Sequence, residues 1–235
     1  TSKGGTVTKT KGGIKHTAGP GVYGGSDNDV HPLDRMKGPS KKRLTGKPGR
    51  EETDEGWDDM LKDVKARRAK TKELVTSDFM AFVNYVWPSF IHGAHHEKMA
   101  EAFQQVAEGK IKRLIINMPP RHTKSEFASY LLPAWFLGMY PGKKVIQTSH
   151  TAELAVGFGR KVRNLVDSDK YKDIFPEVSL QADSKAAGRW ATNHAGEYFA
   201  IGVGGAVTGK GADLLIIDDP HSEQEATLAE TSPEI

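Results

Sequence analysis

Hydrophobic residues along this chain fall first at helical spacing and then in short continuous runs separated by turn residues. Charged residues dominate from Glu51 to Glu73, and "GWDDMLKDVKARRAKTKELV" predicts a helix with Trp57, Met60, Leu61 and Val64 on one side. "DFMAFVNYVW" places Phe79, Phe82, Val83 and Val86 at the same spacing, with Ser77 as the expected N-cap and Pro88 as the terminator. A third helix is predicted from about His95 to Ala107, with Met99, Phe103 and Val106 inward and Gly109 as its C-terminal stop.

The pattern then changes. "KRLIINM", residues 112–118, is a short apolar run suited to a buried parallel strand, and a helical pattern follows to about Gly138. "PGKK" marks a turn and "VIQTS", Val145 to Ser149, a second strand. In "TAELAVGFGRKVRNLVDS", Leu154, Ala155, Phe158, Val162, Leu165 and Val166 form an apolar helical stripe. From near Trp190, "EYFAIGVGGAVTGKGA" predicts one or two antiparallel strands and a glycine-rich loop at 202–211. "DLLIIDDPH" predicts a buried strand at Leu214–Ile217 with Asp218 and Asp219 at its carboxyl end. Alternation of strand and helix implies an α/β fold with a mainly parallel sheet flanked by helices.

Composition refines this division. Residues 1–55 are rich in Gly, Lys, Thr and Pro and poor in large apolar side chains, so they are expected to be disordered. Residues 1–50 hold eleven Lys or Arg against three Asp, a net of +8, which leaves −5 for the rest of a chain whose total is +3. A basic arm of this kind suits nucleic acid, and a solvated tail suits it equally. Residues 56–110 then read as a helical lead-in and 111–235 as the core.

With no cysteine, disulfides, thiolate metal sites and cysteine nucleophiles are excluded. No apolar run approaches the roughly 20 residues of a membrane span, and no signal-peptide core is present, so no membrane partner and a cytoplasmic location are expected. The start at Thr1 and the end at "TSPEI", soon after a strong motif, read as a fragment truncated at the C-terminus.

The chemistry centres on Met118-Pro119-Pro120-Arg121-His122-Thr123-Lys124-Ser125. A phosphate-binding loop needs converging backbone N–H groups, a helix N-terminus and a lysine that reaches the terminal phosphates, with a hydroxyl beside it for magnesium. The Lys124-Ser125 pair stands at the start of a helical pattern, followed by Glu126, while the two glycine positions of G-x-x-x-x-G-K-[ST] hold Met118 and Thr123. Threonine resists positive φ, so the loop is expected to be weakened or adapted. Asp218 and Asp219 supply the independent partner, one acid for the metal and one for the attacking water. The ninety-four residues between Lys124 and Asp218 suit the P-loop branch with an extra strand between the lysine and acid strands.

"GKIKRLIINMPPRHTKSEFAS…PAWFLG", "TSHTAELAVGFGRKVRNLV", "YKDIFP" and "GEYFAIGVGGAVTGKGADLLIIDDPHSEQEA" together resemble the large subunit of tailed-phage and prophage terminases, over roughly residues 75–230. In that family the first motif often reads P-P-R-H-G-K-S, so Thr123 is the departure. The resemblance implies an ATP-driven, Mg2+-dependent motor that packages double-stranded DNA, in the host cytoplasm. It also implies a homo-oligomeric ring on a portal protein and a terminase small subunit that selects DNA. Pro119 to Glu126 would bind ATP, Lys124 would neutralise the β- and γ-phosphates, Ser125 and Asp218 would hold magnesium, and Asp219 would orient water. Arg121 in cis, or Arg160 or Arg163 from a neighbouring subunit, would stabilise the transferring phosphoryl group. Lys210 in the glycine-rich block would meet DNA phosphates. The family's nuclease domain has no counterpart in these residues.

Other readings stay open beside it. A helicase-like P-loop motor shares both motifs, and a non-hydrolysing module that binds DNA or portal through the basic arm would need neither. His92, His95 and His96 suggest zinc, but adjacent helical histidines cannot face one metal, and a helix cap or packing role fits them better. No serine lies in a G-x-S-x-G elbow.

Overall fold

The computed structural model describes residues 54–222, which fall within one compact unit. The expected tail at 1–55 lies outside them except for Asp54 and Glu55, which open the first helix. Three helices come first: α1 (Asp54–Ser77), α2 (Phe79–Val86) and α3 (Ala94–Ala107). The N-cap of α2 is Asp78, not Ser77: its carboxylate accepts from Ala81 N–H at 2.6 Å. Ser77 is drawn into α1 instead, because its hydroxyl donates back to the Glu73 carbonyl. The Trp57, Met60 and Leu61 stripe forms on α1 as expected but remains exposed. Gly109 takes φ +75 just beyond α3, the left-handed stop that its position predicts.

A π-helical stretch (Glu126–Leu131) then runs directly into α4 (Leu132–Met139). Strand β1 (Lys144–Ser149), helices α5 (Ala152–Val166) and α6 (Asp169–Ile174), and strands β2 (Leu180–Ala186), β3 (Arg189–Thr192), β4 (Glu197–Gly202) and β5 (Leu214–Ile217) complete the described chain. The sheet order is β2-β3-β4-β1-β5. It is mixed rather than mainly parallel: β1 runs parallel to β4 and β5, while β2, β3 and β4 form an antiparallel meander. The short turns at Ala187–Gly188 and Asn193–Gly196 dictate this, since a tight connection can only reverse the strand.

The strand expected at 112–118 does not form. That segment pairs with no described strand, and Ile115 is 85% exposed. An apolar run becomes a strand only where a neighbouring ladder accepts its backbone groups, and none of the described strands does so here. Nor is β5 buried on both faces: Leu214 and Ile216 face the helices, while Leu215 and Ile217 are open to solvent. As an edge strand with helices over one face, β5 keeps only alternate side chains covered.

The lead-in helices share a core with the rest. Phe79 of α2 packs edge-on against Phe103 of α3, Phe127 of the π-helical stretch and Trp135 of α4. Two donors in this core find acceptors: Trp135 Nε1 donates to the Thr76 carbonyl and Tyr171 Oη to that of Ala134. Gly159 lets α5 lie close to the sheet, for a Cβ there would stand 2.6 Å from the Ala187 oxygen. Trp190 stacks on Tyr198 beneath it and donates to the Gly159 carbonyl. Among the described residues no helix is long and apolar enough to cross a membrane.

Candidate functional site

The acid pair is held by the sheet itself. Beyond the last residue of β5, Asp218 N–H donates to the Thr148 carbonyl, and His150 N–H donates to the Asp219 carbonyl. These bonds carry the β1–β5 ladder past its end and fix both aspartates at the carboxyl edge of parallel strands, where α/β folds place their ligands. Asp218 is 7% exposed, Asp219 lies open with φ +44, and the two side chains therefore meet different neighbours.

The loop at 118–125 comes to both. Ser125 Oγ donates to Asp218 Oδ1 at 3.0 Å, and Lys124 Nζ donates to Asp219 Oδ1 at 2.8 Å. Ser129, one turn beyond Ser125, donates to the other Asp218 oxygen at 2.9 Å. A buried carboxylate is tolerated only when its oxygens are satisfied, and here two serines from one helix face satisfy both. The helix that carries them begins at Lys124 and takes π geometry from Glu126, a form found frequently at functional sites. Its first N–H groups have no acceptor within the helix, so they and its dipole favour an anion at the loop.

The loop reaches its shape without glycine. Arg121 and Thr123 adopt φ +64 and +59, so threonine takes the left-handed conformation that a glycine would adopt freely. For a β-branched residue this costs roughly 1–2 kcal/mol. Thr123 is tied on both sides: its Oγ1 donates to the His122 carbonyl and lies 2.7 Å from His96 Nε2. His96 is 5% exposed on α3, and its Nδ1 accepts from Gly93 N–H, so Nε2 carries the proton that Thr123 Oγ1 receives. Burial, together with the neighbouring His95 and His92, pushes the His96 pKa down and favours this neutral form. Phe90 and Phe127 flank its ring. The helix-cap role anticipated for the histidines is thus met by His96.

Of the other expected residues, Pro119, Pro120 and His122 are exposed in the loop, with His122 Nδ1 donating to the Pro120 carbonyl. Arg121 is exposed, and the side-chain bonds at the two aspartates come from Lys124, Ser125 and Ser129. Glu126 is taken up by an ion pair with Lys161 of α5 at 2.6 Å. Arg160 is exposed on α5, and Arg163 donates to the adjacent Asn164. Lys210 lies with its Nζ 4.4 Å from the Phe199 ring centre, lining a shallow depression with Lys144, Arg189 and Glu197.

Three residues of the site escaped the sequence reading. Ser129 had a signal, a second hydroxyl four residues after Ser125 on a helical pattern. Lys161 had none, since its partner lies thirty-five positions away. His96 was visible as a histidine but not as the partner of Thr123.

The donor set suits a hard divalent cation: a serine hydroxyl and a fixed carboxylate, with room for phosphate oxygens and water to complete the shell. Among the described residues no group of three or more His, Cys, Asp or Glu could hold a metal ion. Comparison with family models, curated proteins and solved structures finds no match to the chain.

Proposed function

We propose that this chain carries the Mg2+-dependent ATP site of a nucleic-acid motor similar to the large subunit of tailed-phage terminases. The observation that supports it is the meeting of two sequence motifs 93 and 95 residues apart: Ser125 on Asp218 and Lys124 on Asp219. A phosphate site needs its lysine and hydroxyl beside a metal-binding acid and a water-orienting one, and these four side chains stand together here.

In this reading the loop amides and Lys124 bind the phosphates, Ser125 and Asp218 hold the ion, and Asp219 orients water as a general base. Magnesium held by Ser125 and Asp218 would supply Lewis-acid stabilisation of the charge that develops on transfer. Lys124 must leave Asp219 to meet a phosphate, which frees Asp219 for the water at the moment substrate arrives. Ser129 keeps the Asp218 carboxylate oriented throughout. Arg121, or Arg160 or Arg163 of a neighbouring copy, supplies the remaining positive charge, and Lys210 contacts DNA. The finer fold reading, a P-loop sheet with an extra strand between lysine and acid strands, would use the open edge of β5. Double-stranded DNA, a small subunit, a portal protein and a homo-oligomeric ring are the partners this proposal carries.

Steady-state ATP hydrolysis tests it, with and without double-stranded DNA, in the wild-type chain and Lys124→Ala. DNA-stimulated hydrolysis lost in the variant supports the motor. A folded wild-type chain with no magnesium-dependent nucleotide binding would favour the non-hydrolysing assembly module instead.

A further inference from the structure

Resting on the nucleotide reading, we propose that His96 is a positioning residue that holds Thr123 in the left-handed conformation the phosphate loop needs. Thr123 immediately precedes Lys124, so its φ of +59 sets the direction in which the lysine and the first helical amides point. Glycine would reach that conformation unaided. Threonine does not, and its hydroxyl offers what glycine lacks, a handle for a second element to grip.

The grip is a one-way chain of protons. Gly93 N–H donates to His96 Nδ1 at 2.9 Å, His96 Nε2–H donates to Thr123 Oγ1 at 2.7 Å, and Thr123 Oγ1–H donates to the His122 carbonyl at 2.6 Å. Each member has its direction fixed by the one before it, and such chains reinforce one another. The imidazole cannot swing away, because Phe90 at 4.6 Å and Phe127 at 5.1 Å hold its ring. Phe127 belongs to the same π-helical stretch as Ser129 and lies two residues beyond Ser125, so one ring is locked by the element whose start it positions. The hydroxyl at 123 and the imidazole at 96 therefore act as a pair that replaces a glycine.

A double-mutant cycle tests the pairing. His96→Asn keeps an acceptor near Gly93 N–H but is too short to reach Thr123, which separates the cap from the grip. Magnesium-dependent binding of a fluorescent ATP analogue is measured for wild type, His96→Asn, Thr123→Gly, the double variant and Lys124→Ala, with thermal unfolding as the folding check. His96→Asn is expected to weaken binding about ten-fold in the threonine chain, the loss of one good hydrogen bond, and less than about two-fold beside Thr123→Gly. Equal weakening in both backgrounds, or none in either while Lys124→Ala abolishes binding, would overturn this inference and leave the nucleotide site standing. Binding that survives Lys124→Ala unchanged would overturn the nucleotide site and this inference with it. If His96→Asn does not fold, Thr123→Val against Thr123→Ser carries the test. Valine keeps the shape without the hydroxyl and should bind about ten-fold more weakly than serine; equal affinities would overturn the pairing.

Discussion

At Asp218 a carboxylate with little solvent is held by one side-chain donor on each oxygen, Ser125 and Ser129. Removing the buried donor leaves a charged oxygen unpaired, so Ser129→Ala should lower unfolding free energy by about 1.5–3 kcal/mol in urea titrations. Gln147 presents the reverse case. It is fully buried in β1, and neither atom of its amide has a protein partner. Gln147→Met, close in volume and apolar, should therefore raise stability by about 1–2 kcal/mol. His96 adds a pH dependence of known sign. Its pKa is lowered in the folded chain by burial and by His95, His92 and His122, so the unfolded chain binds the proton more readily. Its contribution is full above the unfolded value of about 6.5 and falls as pH drops toward the lowered folded value. Stability of the wild type should thus decline more steeply than that of His96→Asn below about pH 6.5, as thermal unfolding across pH would show.

Elements were legible where local periodicity decides them and illegible where a distant neighbour does. The three lead-in helices, the helix at Ala152–Val166 and the strands at Val145 and Leu214 follow from spacing and turn residues alone. Residues 112–118 carry as good an apolar run as any strand, yet pairing is a property of two segments, and no described strand offers a ladder. The Ser77 error is of a different kind: two adjacent cap-competent residues compete, and the one whose side chain is not already bonded within the preceding helix wins. Asp78→Ala should consequently cost about 1 kcal/mol in chemical denaturation, whereas Ser77→Ala should cost a few tenths at most. The site divides in the same way. Lys124, Ser125, Asp218 and Asp219 could be named from motif order, but Thr123's left-handed geometry and its partner on α3 depend on packing between the lead-in and the loop.

For the whole molecule, the aromatic cluster around Phe79 makes the lead-in part of the site rather than an appendage. It joins α2 and α3 to Phe127 and so to the loop, while the sheet holds the acids from the other side. The candidate ATP site is therefore a single meeting point between two halves of the chain. Titration of a fluorescent ATP analogue into wild type, Lys124→Ala and Asp218→Asn, each with magnesium and with chelator, tests it most directly. Saturable binding is predicted for the wild type only with magnesium; it is lost in Lys124→Ala, and Asp218→Asn with magnesium binds no better than the wild type with chelator. Three folded proteins that respond alike, with or without the metal, would contradict it.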